Sequence, residues 1–373
     1  MSELSSIPYV KPSITKIELD MVAESMKLGW GDGAYKYVYD FEEKFADFVG
    51  SDHAIATSSC TGALELGLAA LDLEKGDEVI LADTNWVATL APIIRQGLSP
   101  IFVDVDLDTW TIAPDKIVSA ITERTRVVLV THLYGNCADL FSIRKICDEF
   151  GLILIEDAAE SIGTTFNGKH TGTFGHFGVF SFHGSKTLTT GEGGMLVTSS
   201  IELSNRVREL NNHGRKINEM KQFWASEIGY KFRMTNMQAA LGIAQLSRVE
   251  ELLTRKREIL EFYRSNLAEP FGLKINPIQE DVISGAWMPN IVVPEKYGIG
   301  RDDLVARFRI ANTDARVFFW PLTQLPFTES TVDNPNGVYL SKQSINLPSF
   351  HDISLGELNR VCETVSTLID SKL

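Results

Sequence analysis

Between residues 53 and 200 the chain repeats one pattern: a short apolar run, a stretch patterned for a helix, then another apolar run. The runs are Glu78–Ala82, Pro100–Asp104, Arg126–Thr131, Leu152–Asp157, Gly178–Phe182 and Met195–Thr198. Each is rich in Val, Ile, Leu or Phe without strict alternation, as strands buried on both faces are. In the helical stretch Asp139–Phe150, Leu140, Ile143, Ile146 and Cys147 fall on one side. Strand–helix alternation predicts a mostly parallel central sheet flanked by helices, an α/β fold. From Gly178 to Thr198 two runs follow each other with no helix between them, so one strand there is expected to run antiparallel.

After Ser200 the pattern changes. A helix is expected from Ile201 to about Asn212, and a long one from Thr235 to about Leu267. Beyond Pro270 come expected strands at Trp287–Val293 and Arg316–Phe319, with helices near Arg301–Ile310 and Ser354–Leu368. A chain of 373 residues accommodates two such parts. The division expected is a large domain over 1–240, including the N-terminal segment. Residues 241–373 then supply the long connecting helix and a smaller α+β domain.

Charge narrows the partners. Thirty-five basic residues against 49 acidic ones leave a net charge of −14, which disfavours nucleic acid or an anionic membrane surface. A local anion pocket survives that argument, because it needs only a few placed donors. The four cysteines (Cys60, Cys137, Cys147 and Cys362) are scattered, with no CxxC pair and no metal-ligand spacing. They fit a reducing compartment and no metal. The opening MSELSSIPYVKP has no apolar run like that of a signal peptide, and no stretch reaches membrane-spanning length. A cytoplasmic protein is expected.

Four segments carry candidate chemistry. Thr57-Ser58-Ser59-Cys60-Thr61-Gly62-Ala63 precedes a helix bearing Leu64, Leu66, Leu68 and Leu71. Free amides and hydroxyls at a helix start form a phosphate cradle, although Ser and Thr there also serve as ordinary caps. Ile155-Glu156-Asp157-Ala158-Ala159-Glu160 puts acids at the carboxyl end of a strand, where α/β sheets bind ligands. Asp157 there suits a protonated ring nitrogen or, equally, a helix cap. Phe180-Ser181-Phe182-His183-Gly184-Ser185-Lys186-Thr187 sets a lysine among small and hydroxyl residues, ahead of the glycine-rich Thr190–Gly194 turn. A lysine that reacts with a carbonyl must lose its proton near neutral pH, which burial promotes. His183 reads as a substrate contact or as a bystander. Gly229-Tyr230-Lys231-Phe232-Arg233-Met234-Thr235-Asn236 places two cations before the long helix, where a plain helix start is an adequate reading.

In order and spacing these segments resemble the DegT/DnrJ/EryC1/StrS sugar aminotransferases, pyridoxal-5′-phosphate (PLP) enzymes of the aspartate-aminotransferase-like fold (fold type I). The resemblance runs from Gly29-Trp30 and the Phe41–Ala46 helix to Asn346-Leu347-Pro348. Its most specific marks are EDAAE at Glu156–Glu160, SFHGSKTLTTGEGG at Ser181–Gly194 and YKFRMTNMQAA at Tyr230–Ala240. With the HLYG of His132–Gly135, the chain looks most like the GDP-perosamine synthase branch. The resemblance implies that Lys186 holds PLP covalently and moves the proton, and that Asp157 pairs with the pyridine nitrogen. It also implies that Trp86 stacks on the ring, that Cys60, Thr61 and Ser181 hold the phosphate, and that Glu160 lies at the ring hydroxyl.

The implied partners are glutamate as amino donor, a nucleotide-linked keto sugar as acceptor, and a second copy of the chain. In that homodimer Lys231 would reach the neighbouring subunit's phosphate, where relatives usually carry Asn. Near the sugar, Arg316 and His183 are candidate contacts. Trp320 stands there where relatives often have His or Tyr before the proline. A GDP-linked 4-keto-6-deoxymannose is the acceptor expected first, with dTDP- or UDP-linked keto-deoxysugars as alternatives. A sugar dehydratase of the same fold is the rival class; those relatives carry His at the lysine position.

Overall fold

The computed structural model describes residues 5–330 and 332–372. Seven strands form the central sheet: β1 (His53–Thr57), β2 (Glu78–Ala82), β3 (Ser99–Val103), β4 (Thr125–Thr131), β5 (Ile153–Asp157), β6 (Phe177–Ser181) and β7 (Gly194–Thr198). Their order is β1-β7-β6-β5-β4-β2-β3. Six share one direction, and β7 runs antiparallel to both of its neighbours, β1 and β6. The reversed strand falls where two apolar runs follow each other without a helix. Six carboxyl ends, those of β1 to β6, therefore open on one edge of the sheet, where ligands of α/β proteins bind.

Among the described residues, twelve α-helices of seven residues or more place the strands and their loops: α1 (Lys16–Leu28), α2 (Lys36–Val49), α3 (Cys60–Ala69), α4 (Val87–Arg95), α5 (Pro114–Ala120), α6 (Leu140–Phe150), α7 (Ile201–Leu210), α8 (Asn236–Leu246), α9 (Val249–Tyr263), α10 (Arg301–Ile310), α11 (Pro335–Gln343) and α12 (Leu355–Asp370). Helix α2 shows why the sequence folds this way. Its Tyr37, Val38, Phe41, Phe45 and Val49 recur at helical spacing, are buried, and pack against Phe180 and Phe182 beneath the sheet. In α6, Leu140, Ile143 and Cys147 are buried as expected, while Ile146 sits at the rim.

The expected single helix over 235–267 is instead two. It breaks at Ser247-Arg248, where Arg248 leaves helical geometry (φ −113°). Its guanidinium is buried and reaches Glu18 at 2.7 Å and the Ser13 hydroxyl at 3.0 Å, tying α1 to the joint. Beyond it a second sheet has the order β8 (Lys274–Ile275), β9 (Asn290–Val292), β11 (Ser344–Asn346), β10 (Arg316–Val317), all antiparallel. Strand β9 is shorter than the apolar run Trp287–Val293, because Pro289 has no N–H for the ladder and Ala286 is left-handed (φ +51°). Strand β10 stops at Val317, since the Phe319 N–H donates to the Tyr134 hydroxyl instead. The N-terminal Ile7 lies in the core of this second sheet, with Tyr263, Ile291 and Val361. Among the described residues no helix is long and apolar enough to cross a membrane.

The sheet is closely packed beneath its active edge. A Cβ added at Gly178 in β6 would lie 2.1 Å from the Gly172 carbonyl oxygen, a backbone atom that cannot swing aside. Gly178→Ala is expected to destabilise the protein by about 2–3 kcal/mol, the cost of overpacking against fixed neighbours. The check is the urea midpoint of the variant; an unshifted midpoint would mean that the loop at 172 yields freely.

Candidate active site

The carboxyl ends of five of the six co-directed strands, β1, β2, β4, β5 and β6, surround one cavity of about 900 Å³. Asp157 is the last residue of β5 and is buried. One of its oxygens accepts from the Thr89 hydroxyl at 2.7 Å and the other from the Ala159 N–H at 3.1 Å. Burial raises its pKa, opposed by those hydrogen bonds and by the Lys186 charge. Glu156, one residue earlier, points to the opposite face of the sheet. It accepts from His132 Nε2 at 2.9 Å and from the backbone N–H groups of Gly172, Phe174 and Gly175. His132 Nδ1 accepts from the Ala138 N–H, which fixes its proton on Nε2. Burial alone would raise the pKa of Glu156, but these donors outweigh it and hold the group below its ordinary value.

Helix α3 begins directly after β1. Its cap Ser59 accepts from the Gly62 N–H at 3.0 Å, so the capping reading of this segment holds. The geometry a cradle would need is present beside it: Cys60 and Thr61, in the first turn, line the cavity, and their amides have no helical acceptor. Beneath them any Cβ at Gly194 would come within 2.4 Å of the Cys60 nitrogen, so glycine there lets β7 approach the cradle. Ser181, at the end of β6, lines the same space.

Lys186 enters from the turn between β6 and β7. Its Nζ is 3.3 Å from Glu160 Oε1 and 3.5 Å above the centre of the Trp287 ring. The other Glu160 oxygen accepts from the Tyr134 N–H at 2.9 Å, and burial raises this carboxyl's pKa against the pull of Lys186. The Trp287 indole N–H donates to the Ser185 carbonyl at 2.8 Å, which pins the lysine's own turn. Trp86 stands at the mouth, half exposed, and stacks with Phe319. His183 is also at the rim, with Nδ1 2.8 Å from the Ser185 hydroxyl. Arg316 pairs with Asp314, and Trp320 lies under the Arg301 guanidinium at 3.7 Å; both border the cavity.

Ten of the eleven residues singled out in the sequence thus meet in one cavity: Cys60, Thr61, Trp86, Asp157, Glu160, Ser181, His183, Lys186, Arg316 and Trp320. Lys231 is not among them. It is exposed, on a segment whose Phe232 carbonyl accepts from the Ser58 N–H and whose Arg233 bridges to Thr57. Sequence reading missed Thr89, Tyr134 and Trp287. Each acts through tertiary contact alone, and only the HLYG motif hinted at Tyr134. Among the described residues no cluster suited to a metal ion occurs.

This donor set fits an aldehyde-bearing pyridine phosphate. An amine, a helix start for an anion, and a buried carboxylate lacking a full cationic partner line one pocket. The DegT/DnrJ/EryC1/StrS aminotransferase family model matches residues 12–366, and the chain belongs to that family. It is a PLP-dependent sugar aminotransferase. GDP-perosamine synthase of Vibrio cholerae is 34% identical over 96% of this chain and 98% of its own. A Streptococcus pneumoniae protein assigned as a sugar aminotransferase superposes in its PLP form with a TM-score of 0.90 at 25% identity, covering 99% of this chain and 100% of that one. A mutant GDP-4-keto-6-deoxymannose-3-dehydratase, ColD, with bound GDP-perosamine superposes with a TM-score of 0.89 at 27% identity, over 96% of this chain and all of that one.

Without a ring cation opposite it, an ionised Asp157 is a cost to the fold. Its folded pKa is raised, so that cost is present above the raised value and absent below the ordinary 3.8. Asp157→Asn removes the charge and keeps an acceptor for the Ala159 N–H, while its amide N–H can donate to the Thr89 hydroxyl, which then donates to Asn85. Cofactor-free Asp157→Asn should therefore melt above cofactor-free wild type at pH 8, and the gap should close as the pH falls towards 4. The loaded variant should lose activity by about 10²-fold, the scale of one preorganised electrostatic group. A melting difference that ignores pH would remove this account of Asp157.

Proposed function

We propose that the chain moves the amino group of glutamate to a nucleotide-linked 4-keto-6-deoxyhexose, with GDP-4-keto-6-deoxymannose as acceptor and GDP-perosamine as product. The observation that carries the reading is the Lys186 amine, held between Glu160 and Trp287 in the cavity that also contains Asp157. Two relatives of similar length, 34% and 35% identical, are GDP-perosamine synthases, and the ColD structure holds GDP-perosamine; both support the sugar. Acceptors linked to dTDP or UDP are the alternative. A dehydratase is disfavoured by lysine at position 186, where dehydratase relatives carry histidine.

The amides of Cys60 and Thr61 and the Ser181 hydroxyl hold the phosphate, aided by the positive end of α3. Asp157 would hold the ring nitrogen protonated, Trp86 would cover a ring face, and Glu160 would meet the ring hydroxyl. The bound cofactor supplies an electron sink that lets a C–H next to the transferred nitrogen ionise. Lys186 Nζ would take that proton and return it to the carbon on the other side of the transferred nitrogen. Glu160 and Trp287 hold the free amine between those two duties. His183, Arg316 and Trp320 meet the sugar and its nucleotide at the mouth.

The same reading includes a homodimer. Lys231 is exposed, as a reach into a second copy requires, and Met220, Phe223 and Ile228 just before it expose apolar side chains almost fully. Such a strip is costly in water and is covered by a twofold partner in the reading proposed. It also includes a large domain over 1–240, a smaller one over 241–373, and a cytoplasmic site where the four free cysteines stay reduced.

Glutamate added to the holoenzyme should convert the cofactor from its aldehyde to its amine absorbance. A panel of GDP-, dTDP- and UDP-linked keto sugars should then identify the acceptor. Failure of the glutamate step would remove the aminotransfer reading for this chain. Lys186→Ala should lower turnover by more than about 10³-fold, as happens when one member of a catalytic unit is lost; near-normal turnover in the variant would exclude it as the proton carrier.

Mixing Lys186→Ala with Lys231→Glu chains tests the dimer. One site of the mixed dimer has an intact lysine at both positions, while the other carries both defects. Activity should return on subunit exchange. A fully active monomer, or exchanged dimers without regained activity, would exclude the shared site.

A further inference from the structure

Two buried carboxylates stand at the ends of adjacent strands without lining the cavity: Asp83 after β2 and Asp104 after β3. Both reach across to the C-terminal part of the chain. Asp83 Oδ1 accepts from the Thr323 N–H at 2.8 Å, and Oδ2 accepts from the Thr323 hydroxyl at 2.8 Å and the Asn334 amide at 3.1 Å. Its backbone carbonyl accepts from the Leu322 N–H at 2.8 Å, and Thr84 bridges to Pro321. Asp104 caps the start of α11, accepting from the N–H groups of Asn336 and Gly337 at 3.0 and 2.9 Å. Gly337 allows this contact: a Cβ there would lie 2.3 Å from the Thr84 hydroxyl.

Between these two anchors the chain carries Leu322, Leu325 and Phe327 along one wall of the cavity. Past Val317 this stretch has left the second sheet. Its internal order is three short turns, Gln324 N–H to Pro321, Leu325 N–H to Leu322 and Thr328 N–H to Leu325. A segment with so few ladder bonds takes its position from whatever holds it outside itself. Asp83 is the principal outside tie, and the loop it opens runs directly on to Asn85 and Trp86 at the mouth.

We propose that Asp83 is a positioning residue for the acceptor: through Thr323 and Asn334 it sets the apolar wall against which a bulky sugar nucleotide is held. The inference rests on the reading of the acceptor as a nucleotide sugar. Glutamate needs only the Lys186 end of the cavity. An acceptor several times larger extends outward to the half-exposed Trp86, Trp320 and Phe327. A displaced wall therefore weakens the acceptor and spares the donor.

The test uses holoenzyme of wild type, Asp83→Ala, Asp83→Asn and the milder Thr323→Val. In Asp83→Ala the KM for GDP-4-keto-6-deoxymannose should rise about tenfold or more with kcat little changed, the scale of one lost charge-assisted hydrogen bond. Conversion of the cofactor by glutamate should stay at the wild-type rate. Asp83→Asn, which keeps an acceptor for the Thr323 N–H, should recover part of the affinity, and Thr323→Val should give a smaller rise in KM. Amides of 321–328 should exchange hydrogen faster in Asp83→Ala without ligand, a change independent of catalysis.

An unchanged KM in both Asp83→Ala and Thr323→Val would overturn the proposal. So would equal loss of the glutamate and sugar steps in both. If Asp83→Ala does not fold, Thr323→Val decides by the same two readouts. If wild type itself ignores glutamate and the sugar, the functional reading fails, and the exchange of 321–328 still decides whether Asp83 holds the wall.

Discussion

Two neighbouring carboxylates end β5, and a strand's alternation sends them to opposite faces. The arrangement works only because each is stabilised by different means. Glu156 is saturated by His132 and three backbone N–H groups, so its charge is fully compensated within the protein. Asp157 has a hydroxyl and one amide, which leaves its charge incompletely matched. Glu156 thereby fixes the strand end and the 172–175 turn, and that rigidity holds Asp157 in a place where its own charge is unfavourable until a cation arrives. A site in which both carboxylates were satisfied would have nothing to offer a ring nitrogen.

The lysine side of the cavity is assembled from both sheets. Four rings, Trp287, Tyr134, Phe319 and Trp86, stack in sequence with centroid separations of 6.0, 5.3 and 5.7 Å. Alternate members come from the N-terminal and C-terminal parts of the chain, so the ladder is also an interface between the two sheets. Its inner end carries the Lys186 ammonium, a favourable partner for a ring face. Its outer end is the exposed Trp86. Tyr134 adopts a left-handed backbone (φ +56°) at the centre of this stack. Its N–H then reaches Glu160 and its hydroxyl reaches the Phe319 N–H, so one strained residue serves both the carboxylate and the far strand.

The large sheet and the lysine centre were legible in the sequence because their signals are local. Buried parallel strands read as apolar runs, and the reversal of β7 read as a missing helix. Asp157 and Ser181 end their strands, and Cys60 and Lys186 follow strand ends within five residues, so topology sends all four to one edge. The second sheet was less legible, since strands of two or three residues such as β8 and β11 leave no periodicity to detect. The 235–267 helix looked continuous because its break depends on Arg248 meeting Glu18, some 230 residues away in sequence. Trp287 and Thr89 were missed for the same reason: nothing near them in sequence announces a partner.

That contrast follows the division of labour in the cavity. The chemical end is specified by short segments attached to a rigid sheet, and its electrostatics are set within a few residues of Lys186 and Asp157. Even in a chain of net charge −14, the start of α3 supplies a local positive field that an anion can use. The mouth has no such local code. Its walls are the 317–327 stretch and the loop after β2, each held by contacts from the other part of the chain. Side chains there can be exchanged without disturbing the sheet beneath, provided the anchors remain. A cavity built this way keeps one reaction at its floor while the shape at its rim is free to follow the acceptor.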